Sequence, residues 1–343
     1  MGSRFMTLPS PYDVDTSPAL LGRGASRTYK VQPRASTGET AVPKQLRFSV
    51  LVLPNVPWPE LLRRCRQVEE LGFDSVGLAD HLVDWAGGKG PWFELWSQLS
   101  AIAQATTRIR LATLVAQIPL RNPVLFALQA LTADHISGGR LDVGLGTGLE
   151  IDPSYRMMGI ENWDAKERVA RFGEYVEVVE RLLSQEETSF QGRFYKVDAA
   201  ALRPRPVQSP RPPIIIAAMG PVMLGHAARH ADIWNSISFA KTFEAQLDET
   251  RRRVAAIDKR CAAVGRDPAS LRRSYLMFDP TARSSGGTIK YYESEETFRQ
   301  MVEQVIALGI SEVGFYYPIL EQQTPMFERI ARNVLPGLRA AYK

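Results

Sequence analysis

Residues 108–148 read RIRLATLVAQIPLRNPVLFALQALTADHISGGRLDVGLGTG. The stretch begins with an apolar strand pattern, continues with a helix pattern over 122–136, and ends with a second apolar run that breaks into glycines. The Ser-Gly-Gly turn at 137–139 separates the helix from the second strand. Near-continuous apolar strands joined through a helix are typical of βαβ units in a parallel sheet.

The same alternation extends from this stretch in both directions. Helix patterns follow the strand patterns at 46–54, 73–80, 108–115, 140–148, 214–220, 232–237, 271–280 and 311–318. Eight such units over about 300 residues predict an α/β fold, a (β/α)8 TIM barrel. An open doubly wound sheet is the alternative, but it would need a glycine-rich dinucleotide loop after strand one, which ends in LPNVPWP (53–59) instead.

Two segments stand outside the eight units. Residues 188–213 contain two short strand patterns around Gln191 and then many prolines, which predicts a hairpin insertion between strands four and five. Residues 1–44 lack any period and carry six basic against three acidic side chains. We expect 1–44 to be a mobile, disordered N-terminal tail and 45–343 to be the barrel domain.

Composition excludes several classes of protein. The 343 residues are 45% hydrophobic, enough for one large core, and the formal net charge is +5. Because the tail supplies +3 of that charge and no basic stripe follows it, nucleic-acid binding is disfavoured. No run of 18 apolar residues and no secretory pattern occurs, so we expect a cytoplasmic protein without a membrane span. Two cysteines are too few for a disulfide framework.

The active site of a barrel lies at the carboxyl ends of its strands. Strand two ends in Asp80 and His81, a polar pair that is expensive to bury without a partner or ligand, although it could also tie a loop. Strand three presents Thr113 and Gln117 near its end. The Thr113 hydroxyl could either contact a ligand or bond to backbone.

Glycines mark the ends of strands four and five. Gly144, Gly146 and Gly148 would let a ligand approach the backbone, although glycine also marks tight turns. Gly220 followed by Pro221 predicts a helix start with free N–H groups, which is either a phosphate site or a simple cap. The Gly/Ser-rich loop 281–288 could close over the barrel mouth.

The remaining histidines give no metal site. His226 and His230 have ligand spacing, but no Glu follows His226 as in the H-E-x-x-H motif, so we predict no metal. His135 and Arg140 belong to the opposite end of the barrel, where a structural role is expected.

Four quoted segments together resemble the luciferase-like flavin-dependent oxidoreductases, the bacterial luciferase superfamily, which includes deazaflavin (coenzyme F420) enzymes. They are LADHL (78–82), the opening stretch 108–148, FQGRFYKV (190–197), and PRPVQSPRPPIIIAAMGPVMLGHAARHADIW (204–234). The resemblance covers the chain from about Leu46 to the C-terminus.

The resemblance implies a cofactor, reduced FMN or F420, in the barrel opening. It implies Asp80 and His81 as catalytic residues beside the cofactor ring. The implied cofactor-binding residues are Thr113 and Leu114 behind the ring, Gly146, Thr147 and Gly148 along the pocket, and Met219, Gly220 and Pro221 at the phosphate. A homodimer and, for an FMN enzyme, a flavin reductase as partner are also implied.

The expected function is therefore a monooxygenase using reduced FMN or a hydride transfer using F420, on a small organic substrate. In the F420 form His81 would move a proton. Where some deazaflavin dehydrogenases carry an acid after the strand-four glycines, this chain has Leu149, with Glu150 and Asp152 beyond it. A non-catalytic flavin-binding barrel is the alternative. Trp85, Trp92, Phe93 and Trp163 could line the pocket or could equally pack within the loops.

Overall fold

The computed structural model describes residues 45–85, 88–282 and 287–342. The tail expected at 1–44 lies outside these residues, and so does the 283–286 part of the expected lid loop. Within the described ranges, no helix combines the length and apolar character needed to cross a membrane.

Eight parallel strands close into a barrel. The strands are β1 (Arg47–Val52), β2 (Ser75–Leu78), β3 (Arg110–Thr113), β4 (Ala116–Gln117), β5 (Leu141–Gly146), β8 (Ile214–Ala217), β9 (Ile233–Ile237), β10 (Arg272–Met277) and β11 (Glu312–Tyr316). Strand three is divided into β3 and β4, and the Leu114–Val115 peptide between them is cis. Pairing of β1 with β11 and of β3 with β5 completes the ring, which confirms the predicted fold.

Helices follow the strands, and the long ones cover the outside of this barrel. They are α1 (Trp58–Glu70), α2 (Leu95–Ala105), α3 (Pro123–Ser137), α4 (Ser154–Met158), α5 (Ala165–Ser184), α6 (Pro221–His230), α7 (Phe243–Ala263), α8 (Glu295–Ala307), α9 (Thr324–Arg329) and α10 (Leu335–Ala341). The last two helices, α9 and α10, are joined by a π-helical turn at Ile330–Val334. Each long helix buries its apolar face, as Leu61, Cys65 and Val68 do in α1.

The insertion is a hairpin, as predicted. Strands β6 (Thr188–Gln191) and β7 (Lys196–Ala200) pair antiparallel. The Glu174 carboxylate on α5 accepts hydrogen bonds from the backbone N–H groups of Arg193, Phe194 and Tyr195, and so holds the hairpin tip against the barrel wall.

Strands three and four are closely packed where Thr113 faces Gly144. A Cβ at Gly144 on β5 would lie 1.9 Å from the Thr113 carbonyl oxygen on β3, so only glycine fits there. The Thr113 hydroxyl donates to the Gly144 carbonyl and accepts from its N–H, both at 2.7 Å. This local join keeps the barrel closed where β3 ends.

Candidate functional site

A cavity of about 440 Å³ opens at the carboxyl ends of the strands. Residues at or just beyond the end of every barrel strand line it, from Leu51 on β1 to Tyr316 on β11. The volume lies in the range of small-molecule sites, and the position is the one that a barrel active site occupies.

His81 lies in this lining with its ring held by an acid. The His81 Nδ1 atom is 2.6 Å from Asp152 Oδ2, and the Asp152 side chain is fully buried. Burial acts to raise the pKa of Asp152, but hydrogen bonds from His81, Ser154 and Gln117 outweigh it and hold the pKa far below its usual range. Asp152 is therefore an anion that orients the imidazole.

The Gln117 side chain determines which nitrogen of His81 carries a proton. Burial raises the pKa of the Tyr155 phenol, which stays protonated and donates to Gln117 Oε1. The two protons on Gln117 Nε2 then go to the Asp80 carbonyl and to Asp152 Oδ2. Gln117 Nε2 lies 3.0 Å from His81 Nδ1 but has no proton left to donate to it. The His81 Nδ1 atom therefore carries the proton and donates it to Asp152. In the neutral His81 ring, the other nitrogen, His81 Nε2, is then the proton acceptor.

Gly148 allows this network to approach the strand-four loop. Its φ is +78°, and a Cβ there would lie 2.2 Å from the Tyr155 hydroxyl oxygen and 2.6 Å from Gln117 Oε1. Arg168 also belongs here, since its Nη1 donates to the Thr147 carbonyl at 2.9 Å. The loop and its partners thus form one rigid wall of the cavity.

The Asp80 carboxylate, unlike the His81 ring, binds protein groups outside the cavity lining. Its carboxylate binds the Arg121 guanidinium at 2.5 Å and accepts the Gln117 backbone N–H at 3.0 Å, and Asp80 is not among the described residues that line the cavity. Arg121 also binds Glu94 on the rim of α2. The structure therefore brings His81 to the cavity and gives Asp80 an ion pair that ties the ends of strands two and three.

Some of the expected cofactor residues line the cavity and others do not. Leu114, Gly146, Thr147, Gly148 and Met219 line the cavity. Thr113 is fully buried in its bonds to Gly144, while Gly220 and Pro221 begin α6 next to the lining residue Met219. None of the side chains that the structure describes caps the first turn of α6, which leaves its N–H groups available for the expected phosphate.

Two of the four aromatic residues named above reach the cavity. Trp85 and Trp92 line it, and the Trp92 ring lies edge-on to His81 at 5.8 Å between ring centres. The Trp92 Nε1 atom is buried with no hydrogen-bond partner among the described residues. Phe93 packs on Trp58, and Trp163 packs under the Arg171 guanidinium.

The other histidines have separate environments. His226 packs against Phe172, and burial lowers its pKa to about 4. His230 Nδ1 bonds to Glu180 on α5 at 3.0 Å, and His135 Nε2 contacts the Arg205 carbonyl at 2.7 Å. In the described part of the chain, no group of three or more possible metal ligands comes together.

Sequence reasoning missed three residues of the His81 network as members of the site: Asp152, Tyr155 and Arg168. Asp152 and Tyr155 lie in or beside α4, a helix too short to give a periodic pattern. An acid in the loop after the strand-four glycines, facing a histidine after strand two, was the available indication for Asp152.

Comparison with known proteins identifies a family. The model of the luciferase-like monooxygenases matches residues 32–304. The chain is 33% identical to the F420-dependent glucose-6-phosphate dehydrogenase of Amycolatopsis mediterranei over 176 residues, 50% of this chain and 51% of that protein, so the match spans about half the relative's length. The enzyme of the same name from Intrasporangium calvum is 26% identical over 321 residues, 82% of this chain and 95% of the relative.

Solved structures share the fold. An F420-dependent secondary alcohol dehydrogenase in complex with an F420-acetone adduct superposes with a TM-score of 0.73 at 18% identity, covering 84% of this chain and 99% of that one. A monooxygenase from Streptomyces bottropensis gives a TM-score of 0.67 at 22% identity, covering 85% and 100%. At these identities the likeness concerns the barrel alone.

Proposed function

Since this chain belongs to the luciferase-like monooxygenase family and is an oxidoreductase, we propose that its cofactor is coenzyme F420. The reaction would be hydride transfer between the deazaflavin and a carbon atom of a small organic substrate. The observation that carries this proposal is the His81–Asp152 pair, because transfer of a hydride to or from an oxygen-bearing carbon needs a partner that moves a proton.

The described residues fit such a cofactor. The cavity walls are mainly apolar, and glycines allow close approach at strand four. The buried Trp92 N–H has no hydrogen-bond acceptor within the described part of the chain. The first-turn N–H groups of α6, beyond Gly220 and Pro221, would hold the phosphate, since a helix N-terminus favours an anion. When bound, F420 would supply the donor or acceptor of the hydride.

The protein's own part is proton transfer and orientation. His81 Nε2 would accept the hydroxyl proton of an alcohol as the carbon–oxygen double bond forms, or return it to a carbonyl in the reverse direction. The Asp152 carboxylate would stabilise the imidazolium that results. Asp80 would act through Arg121 and Gln117, as a positioning residue for this wall.

The reduced-FMN monooxygenase is the second candidate, because an apolar cavity also suits the exclusion of water that oxygen chemistry needs. The flavin reductase partner belongs to this candidate alone. The homodimer stays a prediction in both cases, and so does the cytoplasmic location.

Fluorescence titration with oxidised and reduced F420 and FMN tests the choice. We expect F420 to bind at least about tenfold more tightly than FMN. Ala217→Trp, which fills the cavity, should weaken binding at least about tenfold, while Ala101→Trp on the exposed face of α2 should bind like the wild type. A preference for reduced FMN would favour the monooxygenase, and binding of neither would refute the cofactor assignment.

A further inference from the structure

The charged side chains of the cavity are few and of one kind. The acidic residues in the lining are Asp84 and Asp279. Neither lysine nor arginine occurs among the described residues that line the cavity. A site that recognises a phosphate or carboxylate group normally supplies a cation to it.

Two arginines that contact the walls of the site are already bound to protein groups. Arg121 is paired with Asp80 and Glu94. Arg168 donates to the carbonyls of Thr147 and Trp163. Turning either guanidinium toward a ligand would break buried hydrogen bonds, so neither is available as an anion receptor.

Asp279 is a buried acid in the cavity lining. Burial acts to raise its pKa, but hydrogen bonds from the Thr281 hydroxyl and from the Thr281 and Ile289 backbone N–H groups outweigh it and lower the pKa. An anionic ligand would lose its hydration in an apolar cavity and would also meet this carboxylate.

Most of the remaining lining is apolar and five of its residues are aromatic, while Gln117, Thr147 and Asn235 contribute uncharged polar groups. Trp85 and Trp92 lie near His81, and Phe239, Phe278 and Tyr316 line the side formed by strands six to eight. Phe278 packs edge-on against Phe239 at 5.6 Å and tilted against Tyr316 at 5.3 Å, between ring centres. Such walls favour a flat or bulky apolar body.

We propose that the substrate of this enzyme is an uncharged molecule with an apolar body and one hydroxyl or carbonyl group for His81, and that sugar phosphates are excluded. This inference rests on the proposed function, because it assigns the cavity to substrate and cofactor together. It separates this chain from relatives that are named for glucose 6-phosphate.

Isothermal titration calorimetry of the full chain, with and without F420, tests the inference through binding. The probes are 1-phenylethanol, its para-sulfonate, which adds only a permanent negative charge, and glucose 6-phosphate. We expect saturable binding of the neutral alcohol to the F420-loaded protein, binding of the sulfonate at least about tenfold weaker, and no saturable binding of glucose 6-phosphate. Saturable glucose 6-phosphate binding, or none of 1-phenylethanol, would overturn the proposal.

A charge variant shows whether electrostatics sets the selectivity. Phe239 lines the cavity and is 44% exposed, so Phe239→Arg adds a cation at the mouth without filling the core. We expect sulfonate affinity to rise at least about fivefold. Leu125→Arg, on α3 at a position that is 50% exposed and outside the lining, should leave the sulfonate affinity unchanged. An unaltered sulfonate affinity in Phe239→Arg would count against the proposal.

The F420 titration in the same samples separates the two levels of inference. Failure of F420 to bind would refute the proposed function. Binding of F420 together with glucose 6-phosphate would refute only the substrate class.

Discussion

At the scale of single residues, the two nitrogens of the His81 ring have different tasks. Nδ1 donates to Asp152, and Nε2 stays available to a ligand because His81 lines the cavity. His81→Ala should therefore lower kcat about 100-fold or more, the usual scale for a group that moves a proton, with F420 affinity changed little. Steady-state kinetics and fluorescence titration measure the two effects.

The conservative variant Asp152→Asn tests the role of the carboxylate that holds His81. An amide can donate to Nδ1 and so reverse the tautomer, which should lower kcat at least about tenfold and change its pH profile, with KM affected less. His135→Ala removes a histidine whose Nε2 contacts the Arg205 carbonyl on the far side of the barrel, and it serves as the control. Wild-type turnover in His81→Ala would contradict the proposed role of His81 in proton transfer.

The residue scale is also where sequence reasoning reached its limit. Asp80 and His81 are neighbours just beyond β2, and of the two only His81 is among the described residues that line the cavity. Sequence places both at the strand end without saying which one turns inward. The role of Thr113 was not predictable for a similar reason, because the backbone groups that bind its hydroxyl belong to β5, 31 residues away.

At the scale of elements, the strands and long helices were predictable because their apolar periodicity is strong. The short α4 and the division of strand three depend on contacts between distant segments, which periodicity does not contain. The network around His81 depends on both features, since Tyr155 comes from α4 and Gln117 from β4. The site was therefore less predictable than the barrel that carries it.

An ion-pair cluster joins α5 to α6 at the end of the barrel away from the cavity. Burial acts to raise the pKa of Glu180, but the hydrogen bond from His230 and the charge of Arg211 outweigh it and lower the pKa to about 2. Because the unfolded pKa is about 4.3, this carboxylate stabilises the fold above pH 4.3, and its contribution is lost as the pH falls toward 2.

Glu180→Gln should therefore lower the free energy of unfolding at pH 7 by about 1–3 kcal/mol, the scale of a hydrogen bond to a charged group. The difference from wild type should shrink at pH 3. Urea unfolding at both pH values measures it. Glu186→Gln, in an exposed pair with Arg203, is the control and should change little at either pH. A difference independent of pH would show that the Glu180 charge is not the cause.

At the scale of the whole molecule, barrel closure joins the two ends of the described chain. Strand β1 pairs with β11 along its length, from Arg47 opposite Glu312 to Leu51 opposite Tyr316. The Arg47 guanidinium reaches Asp142 on β5 at 3.4 Å and Glu312 at 3.5 Å across the lower end of the barrel. All eight strands, and every residue of the His81 network, come from residue 45 onward.

The barrel should therefore be independent of residues 1–44. A chain starting at residue 45 should unfold within about 3 °C of the full chain and bind F420 with the same affinity, as calorimetry and fluorescence titration would show. A chain starting at residue 48 also loses Leu46, which is 3% exposed, and the Arg47 ion pairs. Because removing a buried leucine costs about 2–5 kcal/mol, its melting temperature should fall by at least about 5 °C. If the chain starting at 45 melted as low as the one starting at 48, the first 44 residues would belong to the folded domain.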